Sequence, residues 1–265
     1  MDDHEELAPT PGQRAGKFLK QKDIIQTIAL GLFFTAVFVV LGLWFYPKWM
    51  PEAMSKEMVG DEGILKWFTV ISAPIAGIVL AISAESFMNR RKGNEPATED
   101  GAGIKTHGPV VLIWSAVSGL FCVLAIVWGI VEMNTWTSDA LTNAPHALVV
   151  DVTGSQWAWS FEYPSLGVTS HDLYLPVGVP VQFNVVSADV NHSFWPVQLG
   201  VKVDANRLET TVVRTTPDKL GHFDVKCAEL CGLYHAYMET NGEVVTQENF
   251  NNWIATAKAN GGTES

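Results

Sequence analysis

Between residues 227 and 238 the chain reads Cys227-Ala-Glu-Leu-Cys231-Gly-Leu-Tyr-His235-Ala-Tyr-Met238. Two thiols, an imidazole and a thioether so close together form a soft donor set, the kind that selects copper over magnesium, calcium or manganese. Two cysteines four apart can share two metal ions, which a single cysteine cannot. A further histidine, His192, lies upstream in Asp189-Val-Asn-His192-Ser-Phe-Trp. Two other readings compete. Paired cysteines in an oxidising compartment often form a disulfide, but His235 and Met238 in the same loop, with His192 beyond it, weigh towards a metal. Zinc is the nearest rival ion, although its structural sites favour closer cysteine pairs and seldom use methionine.

These donors need a scaffold that brings residue 192 to residue 227. After a polar linker (Asn134–Asn143), short β-rich segments with period-2 alternation follow one another. Candidate strands are Ala147–Thr153, Gln156–Tyr163, Asp172–Pro176, Pro180–Val186, Leu199–Val203, Glu209–Arg214, Gly221–Lys226 and Gly242–Val245. Many short strands separated by Gly, Pro and Asn predict a sandwich or small barrel. A sandwich offering one histidine from an upstream loop and a Cys-His-Met set from a downstream loop is how cupredoxins hold copper. Asn249–Ala259 reads as a terminal helix, and no order is expected for residues 1–15 and 259–265.

The first half of the chain is of another kind. Ile24–Tyr46 carries no charge and would extend roughly 34 Å as a helix, enough for a bilayer core of about 30 Å. Trp67–Ala84 and Val110–Val131 are two further uncharged runs. Arg14, Lys17, Lys20 and Lys22 precede the first run, and Arg90, Arg91, Lys92 and Lys105 separate the second from the third. This bias places the N-terminus in the cytoplasm and the C-terminal domain outside. The first run reads as a retained helix rather than a cleaved signal peptide, since it lies far from the start and no small-x-small site follows it. The fold class is therefore a membrane-anchored all-β protein: three N-terminal transmembrane helices, then a cupredoxin-like sandwich or barrel. Its parts are a cytoplasmic tail (1–23), a first helix (24–46), a helical hairpin (65–133), the β-domain (144–250) and a C-terminal helix and tail (251–265). From residue 144 onward thirteen acidic residues face six basic ones. That balance suits a basic partner steered in by the field, and no nucleic-acid partner is expected.

The Cys227–Met238 run closely resembles the CuA site of cytochrome c oxidase subunit II. Gln156-Trp157-Ala-Trp159-Ser-Phe-Glu-Tyr163 looks like that family's aromatic segment, and His192-Ser-Phe-Trp with Leu199-Gly-Val-Lys-Val-Asp204 and Arg207 looks like its histidine loop and the strand beyond. The resemblance covers roughly residues 65–250. It implies that Cys227 and Cys231 bridge two coppers, that His192 and Met238 complete one, and that His235 and the backbone carbonyl of Glu229 complete the other. It implies also that the Glu229 side chain serves a magnesium or manganese ion at the boundary with subunit I, and that Trp157 receives the electron from cytochrome c or another c-type cytochrome. Glu162, Asp172, Asp189 and Asp218 are candidates for a docking ring around Trp157. The implied role is the electron-input subunit of a terminal respiratory oxidase in a prokaryotic plasma membrane, assembled with subunit I, further oxidase subunits and membrane lipid. Reduction of oxygen to water and proton translocation would then occur in subunit I. No Cys-x-x-Cys-His haem attachment sequence is present, so the donor must be a separate protein.

The chain departs from the family in several places. Ala158 stands where a tyrosine is usual, Trp195-Pro196-Val197 reorders the residues after the ligand histidine, and Asn206 replaces a longer Ile-Pro-Gly insertion. Val111 stands where many members carry a glutamate associated with proton uptake. The first helix is additional to the usual two, and packing against another subunit is its expected role. Two alternatives remain: the CuA subunit of a nitric oxide reductase, and a membrane-tethered copper electron carrier. A copper-delivery or thiol-redox protein would leave Met238 idle and calls for a thioredoxin-like order of elements that is absent here.

Overall fold

The computed structural model describes residues 21–88, 108–142 and 147–264. Arg14, Lys17 and Lys20 near the N-terminus, the basic residues between the second and third apolar runs, His107 and His146 lie outside the described residues. Contacts divide the chain into two units, Met1–Trp49 with Lys66–Gly129, and Met50–Leu65 with Ile130–Ser265.

The first unit is helical. It draws on α1 (Gln21–Trp49), α2 (Lys56–Met88) and α3 (Gly108–Thr142). Among the described residues, three helices are long and apolar enough to cross a membrane. Apolar side chains stand exposed on every side of α3 between Val110 and Val131, a pattern suited to hydrocarbon rather than water. The added helix finds a partner within the chain. A Cβ on Gly77 of α2 would lie 2.8 Å from the Thr35 nitrogen and 2.9 Å from the Gly31 carbonyl of α1. Ala73 and Ala81, on the same stripe of α2, are buried. Small residues at this spacing let two backbones approach closely where water-driven burial is unavailable.

The second unit is built on two sheets. One has the order β11-β3-β2-β1-β5-β8 and the other β4-β10-β9-β6-β7. The strands are β1 (Leu148–Ser155), β2 (Ala158–Tyr163), β3 (Val168–Ser170), β4 (Leu173–Pro176), β5 (Val181–Ser187), β6 (His192–Pro196), β7 (Val203–Ala205), β8 (Thr211–Thr215), β9 (Gly221–Cys227), β10 (Glu239–Val245) and β11 (Thr263–Glu264). A fourth helix, α4 (Gln247–Ala259), follows β10, and the Thr246 side chain caps it by accepting a bond from the Asn249 N–H. Alternation explains the burial. Val181, Phe183 and Val185 of β5 are fully buried while Gln182 and Asn184 between them are not. Phe194 anchors the aromatic centre of the core, its ring 5.1 Å from Phe183, 5.6 Å from Trp159 and 6.2 Å from Phe161.

The structure departs from the predicted elements in several places, among them the stretch read as a linker from Asn134, which continues α3 as far as Thr142, and the short strand β3, which has no predicted counterpart. Gln156 and Trp157 form the two-residue turn between β1 and β2, so the aromatic segment begins its strand only at Ala158. His192 opens a strand instead of lying in a loop. The segment read as a strand over Leu199–Val203 is split: Val197–Leu199 makes a single 3-10 turn that ends on Gly200 at φ 62, and β7 begins at Val203. The tail expected to lack order instead pairs Thr263 and Glu264 with Thr169 and Ser170 of β3.

Residues 50–58, which precede and begin α2, are stitched into the β-domain. The Met54 N–H donates to the Gln198 carbonyl at 2.9 Å, and the Met54 carbonyl accepts from the Asp218 N–H at 2.9 Å. The Ser55 hydroxyl donates to the Leu199 carbonyl at 2.7 Å, and the Met54 side chain is buried in the core. A Cβ on Gly200 would lie 2.4 Å from the Met58 nitrogen, so this crossing demands glycine both for space and for its left-handed backbone.

Candidate metal centre

Sheet register assembles the site. β6 and β9 are antiparallel neighbours with Phe194 opposite Cys227, and the Ala228 N–H extends the ladder to the Ser193 carbonyl at 2.9 Å. This pairing carries His192 to Cys227 across 35 residues of sequence. On the other side of β9, Lys226 pairs with Glu239 of β10, and the Cys227 N–H donates to the Met238 carbonyl at 3.0 Å. Residues 227–238 thus form a loop closed at its base, with its donors turned inward. Met238 and His192 are fully buried, Cys231 nearly so, and His235 partly exposed.

The side chains converge. The Cys227 and Cys231 sulfurs are 3.8 Å apart and unbonded. His192 Nδ1 is 3.8 Å from Cys227 Sγ, and the Glu229 carbonyl oxygen is 3.2 Å from the same sulfur. His235 Nδ1 is 3.6 Å and Met238 Sδ 3.7 Å from Cys231 Sγ. His192, Cys227 and Cys231 present their ligand atoms within 4.8 Å of one another, all three residues buried. Metal–thiolate bonds of about 2.3 Å would let an ion on either side of the line between the sulfurs touch both. Each sulfur also has one imidazole and one weaker donor beside it. The donor set therefore fits a pair of soft ions sharing both thiolates.

Polar contacts around these donors fix their orientation. His192 Nε2 lies 2.8 Å from Asp189 Oδ1, which leaves Nδ1 facing the sulfurs. Asp189 also accepts from the Gln156 N–H at 2.7 Å and the Val190 N–H at 2.6 Å. Partial burial works against its ionisation, but the bonds from Gln156, His192 and Val190 outweigh it and hold the carboxyl below the usual carboxylate range. The Gln156 side chain donates to the Cys231 carbonyl at 2.7 Å. Burial, and then the neighbouring Cys227 thiol, push the Cys231 thiol up to about 11, so a metal ion bound there would have to displace its proton. Gly154 makes room for the histidine: a Cβ there would lie 3.1 Å from His192 Cδ2 and 3.0 Å from the Trp159 ring.

The remaining candidates fall into place around this centre. Trp157 is partly buried at the β1–β2 turn, and Trp159 is a core residue. The Glu229 side chain is exposed. Of the four acids considered for docking, Asp189 is bonded to the Trp157 turn. Asp172 accepts from Thr240, and the Asp218 backbone is bonded to Met54. His171 bonds the Trp159 carbonyl and His222 faces Asp224 at 3.6 Å, both away from the donor cluster. Sequence reasoning missed Gln156, Gly154 and the orienting role of Asp189. The place of Gln156 beside Trp157 was the one available signal.

Residues 165–245 match the profile of the periplasmic domain of cytochrome c oxidase subunit II. A cytochrome c oxidase subunit 2 of Thermostichus vulcanus is 49% identical over 126 residues, covering 45% of this chain and 38% of that protein. Another, of Synechocystis sp., is 27% identical over 277 residues, covering 86% of this chain and 82% of that protein. Among solved structures, the periplasmic domain of cytochrome oxidase subunit II from Bradyrhizobium japonicum is 31% identical with a TM-score of 0.41, covering 43% of this chain and 96% of that one. Fold and site define a membrane-anchored, cupredoxin-like protein. Within that class, the chain is similar to members of the cytochrome c oxidase subunit II family.

Proposed function

We propose that this chain is the electron-input subunit of a terminal respiratory oxidase, holding a binuclear copper centre of the CuA type. It takes single electrons from a c-type cytochrome and passes them to haem in subunit I, where oxygen is reduced to water with proton translocation. In this reading three spans fix the chain in a prokaryotic plasma membrane, the N-terminus is cytoplasmic, and residues 144–250 form the copper domain outside. The observation that carries the reading is the alternation of donors about two unbonded thiols 3.8 Å apart.

Cys227 and Cys231 would bridge the coppers, with His192 and Met238 on one and His235 and the Glu229 carbonyl on the other. Copper held in this way gains and loses one electron. The protein's own part is to keep the surroundings still. Asp189 holds the His192 ring, and the closed base of the loop holds Met238. The aromatic core behind His192 excludes water, so little rearranges when charge changes. Trp157 is the proposed point of electron arrival. The exposed Glu229 side chain is proposed to serve a magnesium or manganese ion at the boundary with subunit I.

The direct test is electron paramagnetic resonance of the copper-loaded full chain. Hyperfine coupling of one unpaired electron to two equivalent copper nuclei is expected, and coupling to a single nucleus would overturn the binuclear reading. Recovery of the chain with a haem-bearing multispan partner tests the assembly.

A further inference from the structure

On the reading that Trp157 receives the electron, we infer that Tyr234 is a positioning residue that holds the Trp157 ring against the copper loop.

Trp157 occupies a two-residue turn, where Ser155 and Ala158 on either side make the last strand pair. Its indole nitrogen is buried and has no hydrogen-bond partner among the described residues. Among the described residues, no hydrogen bond from the indole therefore sets the ring's orientation. Ala158 is exposed and offers only a methyl group. The ring instead lies beside the 227–238 loop, near Gly232 and against Tyr234. A Cβ added to Gly232 would lie 3.4 Å from both Cζ2 and Nε1 of Trp157, so the ring passes close to this glycine, at a distance where even a methyl group would touch it. Tyr234 supports the ring directly, its centroid 4.8 Å from that of Trp157 at 85°, the edge-to-face arrangement aromatic pairs favour.

Both residues adjoin proposed metal donors in the chain. Gly232 follows Cys231, and Tyr234 precedes His235, whose Nδ1 lies 3.6 Å from the Cys231 sulfur. A ring packed on Tyr234 and close to Gly232 is therefore in contact with the segment that carries both groups. Tyr234 is half exposed, so core formation does not account for its aromatic side chain. The step it serves is a one-electron transfer. A ferrous c-type haem becomes ferric, the copper centre is reduced by one electron, no bond forms or breaks, and no proton moves.

The test uses the copper-loaded full chain with reduced, lysine-rich mitochondrial cytochrome c as donor. Hexaammineruthenium(II), which needs no aromatic contact, serves as a second reductant. Tyr234→Leu and Tyr234→Ala are expected to slow transfer from saturating cytochrome c by about two- to tenfold, the range that one edge-to-face ring pair supplies. Tyr234→Phe should restore the rate. Reduction by the ruthenium complex, the copper resonance spectrum and affinity for zinc-substituted cytochrome c should stay as in the unmodified chain. Wild-type rates in the Leu and Ala variants would overturn the inference. So would an altered copper spectrum, an equal loss with the ruthenium complex, or a loss of affinity that accounts for the lost rate. An unmodified chain whose copper is reduced by neither reductant would instead overturn the proposed function.

Discussion

At His192 the two ring nitrogens have separate tasks, because Nδ1 faces the Cys227 sulfur while Nε2 is bonded to Asp189. A ligating imidazole fixed by a carboxylate keeps one tautomer and one orientation, and loss of such a partner typically costs about 10–100-fold in metal affinity. Asp189→Ala is therefore expected to weaken copper binding by about that factor, read by competition with a chelator of known affinity. Asp218→Asn should bind as the unmodified chain does, since the Asp218 contact to residues 50–58 runs through its backbone. Glu229 divides in a similar way. Its carbonyl lies beside the Cys227 sulfur while its side chain is exposed, so a side-chain substitution leaves the nearby donor in place.

At the scale of elements, strand pairing does what the metal loop cannot do alone. The donors within Cys227–Met238 are near in sequence, but His192 arrives through the antiparallel register of β6 on β9. The 3-10 turn after β6 ends at Gly200, where residues 55–58 cross the domain. Gly200→Ala would force a Cβ to 2.4 Å from the Met58 nitrogen at a φ of 62. It is expected to destabilise the β-domain by about 2 kcal/mol or more, the scale of strain at a left-handed position compounded by a backbone clash. Chemical denaturation followed by tryptophan fluorescence would measure it, with a lower midpoint and an unchanged slope.

Across the whole molecule, charge and hydropathy divide the labour. Apolar runs supply the helices, and the chain from residue 144 carries an excess of acids over bases. If a basic cytochrome delivers the electron, the second-order rate should fall steeply as ionic strength rises, because the Debye length shrinks from about 30 Å at 0.01 M to about 8 Å at 0.15 M. Stopped-flow measurement over that range is the check. A flat salt profile would point to a donor bound through apolar contacts alone.

Sequence alone determined the soft donor set, the apolar runs and the β character of the second half, because each is a local property of residue type and spacing. It placed Cys227, Cys231, His235 and Met238 together, since one short loop holds them all. Tertiary structure decided the rest. Pairing between strands distant in sequence put His192 beside Cys227 and ended β1 so that Trp157 sits at a turn. Gln156, Asp189 and Tyr234 gained their places only when that turn met the metal loop. The stitching of residues 50–58 onto the β-domain left no periodic trace, because backbone bonds from Met54 to Gln198 and Asp218 depend on neither side chain nor spacing. Local chemistry names the donors, and long-range register fixes which of them share a site.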